Sequence, residues 1–452
     1  MSFTAISLFA SGGIGDLALR ANDIDVVVAN ELLPDRCEVL KCNYPLTTVI
    51  QGDIWELQEQ IIQTTLEKLG GRQLDIFYAT PPCQGMSKNG RGTILNNIRK
   101  GMRPKTDERN RLIVPAMEIA KRLQPRLILL ENVPEMENTL IETPNGEFKL
   151  VLEYVREALG KEYMGKGEVV EFADFGVPQK RQRLISVFTN DPACQEYFSL
   201  VGSFIPETTH VSKPDYSKKR WCTIRDALAH LPELDAQNRN VATSPSIPYH
   251  RVPLLDDEKY FWVSNTPAER SAFDNQCIKC GFDKNAAHGN LRTKDGINRA
   301  KKDTPIRCQR CDAVLPRPWV IENGEYRLMN GFTSAYKRMR WDAPANALTT
   351  NLSYACSDSK LHPEQNRVLS LHEAFIIHTI ADYDFTWCRA DGKPLSDKSI
   401  REIIGESIPP KGLEPIVRLL CDLLRGKKVE EIEFAQPYNI QLQLFTVQEP
   451  VG

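Results

Sequence analysis

Leu74-Asp75-Ile76-Phe77-Tyr78-Ala79-Thr80-Pro81-Pro82-Cys83-Gln84-Gly85 is a nearly continuous apolar run that stops at two prolines and then offers a thiol. Such a run suits a strand buried on both faces, as in a parallel sheet. Proline donates no N–H, so Pro81-Pro82 ends the ladder, and the stiff backbone that follows presents Cys83 at the strand's C-terminal edge. A structural cysteine would sit inside the strand. One placed after Pro-Pro reads as a functional thiol.

The same texture extends outward. Short β-branched or apolar runs at Ile6–Ala10, Asp25–Ala29, Thr47–Ile50, Asp75–Thr80, Arg126–Glu131, Glu168–Phe172 and Leu184–Phe188 read as strands. Helical periodicity marks Trp55–Leu69 and Leu112–Leu123 between them, and LSLHEAFIIHTI from Leu369 with Gly412–Arg425 near the other end. Alternation of this kind predicts an α/β fold with an open, mostly parallel sheet and its ligands at the strand C-termini. From about residue 200 to 345 prolines and polar residues break the pattern, which predicts a second, smaller irregular domain. The expected division is 1–200, 201–345, a return to the first domain over 346–426, and a tail over 427–452.

At 452 residues the chain exceeds one ordinary core, and 41% hydrophobic with 26% charged residues describes a soluble globular protein. No apolar run reaches membrane-spanning length and the N-terminus lacks a basic segment ahead of its apolar stretch, so a cytoplasmic location and no membrane partner are expected. A net charge of −2 rules out a polycation, so any nucleic-acid binding must come from local patches. Three clusters are candidates: Lys218, Lys219 and Arg220; Lys301, Lys302, Arg307 and Arg310; Lys337, Arg338 and Arg340. Each taken alone reads as solvated surface. Among the 12 cysteines, Cys277-x-x-Cys280 and Cys308-x-x-Cys311 have the form of two zinc knuckles within an expected insert over 277–311. The set predicts a structural Zn2+ and otherwise reduced thiols, with no disulfide framework.

The first strand runs into Phe9-Ala10-Ser11-Gly12-Gly13-Ile14-Gly15-Asp16, a glycine-bearing turn that opens a helix. Glycines there let a ligand approach the backbone, and a carboxylate at the end of the next strand, Glu31, can accept from both hydroxyls of a ribose. Asp53, after the third strand, could meet an adenine amino group. This spacing does not distinguish NAD from S-adenosylmethionine.

These segments, in order, resemble the DNA cytosine-5 methyltransferase family of bacterial restriction-modification type through nearly the whole chain. SLFASGGIGDLALR is similar to the first cofactor motif, ANE to the second, QGDI to the third and TPPCQG to the Pro-Cys motif. LLENV matches the Glu-Asn-Val motif, VPQKRQRL the Gln-x-Arg-x-Arg motif, RMRWDAPANALTT the ninth and IGESIPPKGLEPIVRLL the tenth. The resemblance implies a class I, Rossmann-like S-adenosylmethionine-dependent methyltransferase with a target-recognition region over 201–345, acting on double-stranded DNA. It assigns catalysis to Cys83, Glu131, Arg181 and Arg183, and cofactor binding to Phe9, Gly13, Glu31, Asp53, Ile54 and Pro81. Gln179 and Arg181 would organise the site, and Ser87–Arg111, rich in cations, would close over DNA as a lid. Cys83 would add to C6 of a flipped-out cytosine. A cognate restriction endonuclease or other defence-system proteins are implied as partners. The chain departs from the family pattern at Ser11 and Ile14, where glycine is common, and at Glu406, where asparagine is typical. The insert is not a family feature, and its basic residues favour DNA contact. A transfer-RNA methyltransferase on the same catalytic domain and a decayed, non-catalytic regulator are the alternatives. The large insert argues against the first and intact Cys83, Glu131, Arg181 and Arg183 against the second.

Overall fold

The computed structural model describes residues 2–82, 108–214, 216–287, 290–292, 298–300, 304–332, 334–428 and 431–432. Cys83, Ser87–Asp107 of the expected lid, Lys301, Lys302 and nearly all of the tail lie outside the described residues.

All seven expected strands form and join one sheet: β1 (Phe3–Leu8), β2 (Ile24–Glu31), β3 (Thr48–Gln51), β4 (Ile76–Ala79), β5 (Leu127–Asn132), β6 (Met164–Glu171) and β7 (Gln182–Thr189). Their order is β3-β2-β1-β4-β5-β7-β6. The first five run parallel, and β7 lies antiparallel between β5 and β6. The order reverses between β1 and β4. A crevice opens at such a reversal, beyond the strand C-termini, because the connecting helices leave on opposite faces.

Period-two alternation decides which core each side chain joins. Ile6, Leu8, Phe77, Ala79, Ile128 and Leu130 point to one face, against α3 (Ile54–Leu69), α4 (Ile113–Leu123) and α5 (Val151–Leu159). Ala5, Ile76, Tyr78, Leu127, Leu129 and Ile185 point to the other. There they meet α1 (Asp16–Arg20), α6 (Pro192–Val201) and α11 (Pro410–Leu424). The strands are buried on both sides, which is why their sequences read as unbroken apolar runs.

A third core sits over the C-terminal ends of β1 and β2. In it Ala10, Ile14, Leu17, Val39 and Leu40 of the first turn and α2 (Pro34–Asn43) meet Leu228 of α7 (Ile224–Leu228), Phe375 of α9 (Leu371–Ile377), and Ile403 and Ile404 of α10 (Asp397–Glu406). A smaller core joins Trp262 and Val263 of α8 (Asp257–Ser264) to Phe273, Leu328, Tyr336, Ala355, Leu361 and Val368. Helix α7 therefore packs with the sheet-bearing part, and the small core reaches past residue 345.

One cysteine expectation is corrected. Cys42 on α2 and Cys388 form a disulfide. The reason is local: Asn43 donates to the Thr386 carbonyl at 2.9 Å and accepts from the Thr386 N–H at 2.7 Å, which brings the two sulfurs together. Among the described residues no helix is long and apolar enough to cross a membrane.

Candidate active site

The ends of β1, β2 and β4 are stitched together beyond the sheet. Ala10 N–H donates to the Asn30 carbonyl at 3.1 Å, and Thr80 N–H to the Leu8 carbonyl at 3.1 Å. Thr80 Oγ1 donates to the Phe9 carbonyl at 2.9 Å. Phe9 (φ 60°) and Ser11 (φ 49°) both adopt the left-handed conformation. An L side chain there costs about 1–2 kcal/mol, which explains why glycine is the common residue at the position of Ser11.

The glycines of this turn serve packing. A Cβ at Gly12 would lie 2.9 Å from Ile403 Cγ2 of α10, and one at Gly13 would lie 2.5 Å from the Tyr44 ring. Tyr44 Oη donates to the Gly13 carbonyl at 2.5 Å. Gly13, at φ 80°, is thus packed against the Tyr44 ring on the side that a Cβ would occupy.

Glu31, only 5% exposed, joins the first two strand ends. Its Oε2 accepts from Ser11 N–H at 2.8 Å and its Oε1 from Leu33 N–H at 2.9 Å. A carboxylate offers about four lone pairs, so roughly one per oxygen is left after these bonds, enough for two hydroxyls. Ser11 Oγ is buried and has no hydrogen-bond partner among the described residues. An anchored carboxylate with spare lone pairs beside an unmatched hydroxyl fits a polyhydroxyl ligand. Phe9 is half-buried beside this cluster. Asp53 is exposed and spends Oδ1 on the N-terminus of α3, accepting from Trp55 N–H at 3.0 Å. Ile54 packs into the core at 2% exposure, which leaves its side chain almost no surface for a ligand. Beneath the turn, burial pushes the Asp16 carboxyl up to about 7, against a 2.8 Å hydrogen bond from Ser7.

Across the crevice, β5 ends in Glu131-Asn132 beside β4. Asn132, to which the motif reading gave no role, is a clamp: Nδ2 donates to the Pro81 carbonyl at 2.6 Å and Oδ1 accepts from Val133 N–H at 2.8 Å. The signal was present in the Glu-Asn-Val triplet, since an amide both donates and accepts. Register places Ile185 opposite Glu131. Two residues before Ile185, Arg183 reaches the carboxylate, Nε to Oε1, at 2.8 Å. Burial raises the Glu131 carboxyl, and the guanidinium groups of Arg183 and Arg181 oppose that rise.

Arg181 has a different environment. Its guanidinium donates to the carbonyls of Leu348 (2.7 Å), Gly405 (2.9 Å) and Ser407 (2.5 Å). Gln179 Oε1 accepts from Leu348 N–H at 3.0 Å, and its Nε2 lies 3.2 Å from His378 Nδ1. Gln179 and Arg181 therefore bind the C-terminal segment to the sheet. The pair Gln179–Lys180 also bridges in parallel to Ala345–Asn346.

In the smaller region the four knuckle cysteines converge, their sulfurs all within 4.8 Å of one another. Cys277 and Cys311 are 3.6 Å apart, Cys280 and Cys277 3.6 Å, and Cys280 and Cys308 3.7 Å. A tetrahedral Zn2+ with bonds of about 2.3 Å spaces its sulfurs by about 3.8 Å. The donor set fits that ion in chemistry and spacing.

The basic clusters need one correction. Arg338 is buried, its guanidinium donating to the carbonyls of Thr266, Val263, His362 and Gln365 and to Asn366 Oδ1. Arg220 pairs with Asp226, Arg307 with Asp312, and Arg340 with Asp342.

The family model of C-5 cytosine-specific DNA methylases matches residues 3–421. The chain belongs to that family. The methylase is a DNA (cytosine-5-)-methyltransferase. It is 27% identical to the Type II methyltransferase M1.HgaI of Avibacterium volantium, over 91% of this chain and 96% of that one. It is 24% identical to the Type II methyltransferase M1.HphI of Haemophilus parahaemolyticus, over 91% and 84%. A solved chain described as a DNA modification methyltransferase encoded within an E. coli prophage shares the methylase fold. It superposes with a TM-score of 0.51 at 17% identity, covering 94% of this chain and all of that one.

Proposed function

We propose that this methylase is the modification enzyme of a Type II restriction-modification system, methylating C5 of a cytosine swung out of double-stranded DNA. The observation that carries the reading is the Glu131–Arg183 pair at 2.8 Å, set beside an Asn132 amide that fixes the Pro81 carbonyl. The pair supplies the polar partners a pyrimidine needs, and the clamped Pro81 stands two residues before the Cys83 thiol in the sequence.

Cytosine C5 is a poor nucleophile. Addition of the Cys83 thiolate to C6 forms a C–S bond and moves the ring's electron pair to C5. Glu131, its carboxyl raised by burial, is suited to hold a proton at N3 and to accept from the exocyclic amine as that charge develops. Arg183 then holds O2. S-adenosylmethionine, when bound, supplies an electrophilic methyl group. Loss of the C5 proton to a base then expels the thiolate. Glu31 takes the ribose hydroxyls, with Phe9 against adenine, while Asp53 and Ile54 contribute through backbone and the α3 terminus. Arg181 serves as a positioning residue, through the carbonyls it gathers. The base leaves the stack at a cost of about a few kcal/mol, offset by pocket and phosphate contacts.

The region around the small core, with a Zn2+ held by Cys277, Cys280, Cys308 and Cys311, reads the DNA sequence. A cytoplasmic location and a cognate endonuclease or other defence proteins complete the reading. The test is expression in a methylation-free bacterium with base-resolution mapping of 5-methylcytosine. A single short methylated motif is expected, and Cys83→Ser should leave none. A soluble, cofactor-binding chain that marks no motif would defeat the reading.

A further inference from the structure

Glu406 stands where the family pattern has asparagine, and nothing in the mechanism above uses it. It ends α10, the helix whose Ile403 lies over Gly12. Its Oε2 is 2.5 Å from Nη2 of Arg36, which lies in the first turn of α2. The other nitrogen, Nη1, faces Glu31 Oε1 at 3.9 Å, beyond hydrogen-bond reach. One guanidinium thus stands between two carboxylates and is bound to the outer one. The arrangement matters because Arg36 is mostly buried, at 16% exposure, so water screens its attraction for Glu31 only weakly.

Without the outer carboxylate, a small side-chain rotation would bring Arg36 from 3.9 Å to the usual charge-assisted distance of about 2.8 Å from Glu31 Oε1. That oxygen already accepts from Leu33 N–H, so the guanidinium would take the lone pair a ribose hydroxyl needs. An asparagine at 406 would be shorter and uncharged, and could not compete with a carboxylate for the cation.

We propose that Glu406 is a positioning residue of the cofactor site: it holds Arg36 off Glu31 and so keeps the Glu31 carboxylate open to the ribose. This rests on the reading of Glu31 as the ribose ligand. The mechanism has a signature that loss of packing does not share, because removing Arg36 should repair the loss of Glu406.

Calorimetric titration of the full chain with S-adenosylhomocysteine tests it. Glu406→Gln should raise Kd about tenfold, the scale of one charge-assisted hydrogen bond. The KM for S-adenosylmethionine should rise in step, with kcat at saturation within about twofold. Adding Arg36→Met to Glu406→Gln should bring Kd back to within about threefold of the parent. An unchanged Kd in Glu406→Gln, or a double variant that binds no better than the single one, overturns the proposal. Glu31→Gln separates the two levels. If it binds cofactor like the parent, the ribose reading itself fails; if it weakens binding while Glu406→Gln does not, only the role of Glu406 fails.

Discussion

The two parts of this methylase hold their polar groups in opposite ways. At the sheet's edge, two carboxylates are fixed at one end and open at the other: Glu31 is pinned by two backbone N–H groups with lone pairs to spare, and Glu131 pairs with Arg183. In the small region charged groups are closed off. Arg338 finds five acceptors, four backbone carbonyls and one side-chain amide. Buried Arg317 ties the carbonyls of Asn275, Ala286 and Pro305 together around the cysteine cluster. A sheet fixes its strand ends largely through its own ladder, so that side chains such as those of Glu31 and Glu131 are left for chemistry while Asn132 and Arg181 hold the neighbouring segments. Loops with a small core must spend theirs on backbone groups that no ladder satisfies.

The difference can be broken most severely at the cysteines. Because a site of this kind ties metal binding to folding, with about 10–16 kcal/mol at stake in small zinc domains, Cys308→Ser or a strong chelator should unfold the small region and abolish methylation. Cofactor binding at the sheet should survive. Metal analysis finding less than one zinc per chain, or hydrogen exchange unchanged around Trp262 after chelation, would count against it.

A smaller effect is expected at the ion pair that closes the junction between the two parts. Arg367 and Glu373 are both buried, with two contacts of 2.7 Å; burial, the largest single influence, pushes the Glu373 carboxyl up, but the charge of Arg367 and the hydrogen bonds from Arg367 and Ser370 together hold it down to about 2. A depressed carboxyl contributes stability that is whole above its unfolded value near 4.5 and is lost as pH falls towards about 2. Glu373→Gln leaves the arginine buried without its counter-charge and should cost about 3–5 kcal/mol at pH 7. The gap between parent and variant should narrow in denaturant titrations run from pH 5 down to pH 2. A constant gap would show that the pair's charge is not its contribution.

The smallest effect sharpens the open side of the comparison. Ser11→Gly relieves a left-handed serine and removes an unmatched buried hydroxyl, at the price of a more flexible unfolded chain. A net gain of about 1 kcal/mol in the ligand-free protein is expected by thermal melting. A loss would mean that the hydroxyl is satisfied by residues outside those described.

Much of the catalytic half was legible because its physics is local. Strands buried on both faces must be apolar throughout, so LDIFYA and RLILLE announced themselves, and all seven strands lie where periodicity put them within a few residues. Helix α2 was not legible, since PDRCEVLKCN carries no apolar stripe and becomes a helix by packing Val39 and Leu40 under α10. The glycines of the first turn were visible, but what they admit was not: Ile403 and the Tyr44 ring come from α10 and from the end of α2. Arg338 counted as a surface cation until carbonyls from two distant segments, Val263–Thr266 and His362–Gln365, closed around it.

By itself the sequence determined the sheet, the turn after β1, the Pro-Pro stop before Cys83 and the knuckle spacing, because each depends on neighbours a few residues away. Tertiary structure alone decided how each charge is used. It made Arg181 and Arg338 collectors of backbone carbonyls, Asn132 the clamp on Pro81, and Glu406 the partner of Arg36. The physical reason is that a buried charge is defined by the groups that meet it, and here those groups arrive from segments separated by tens to hundreds of residues.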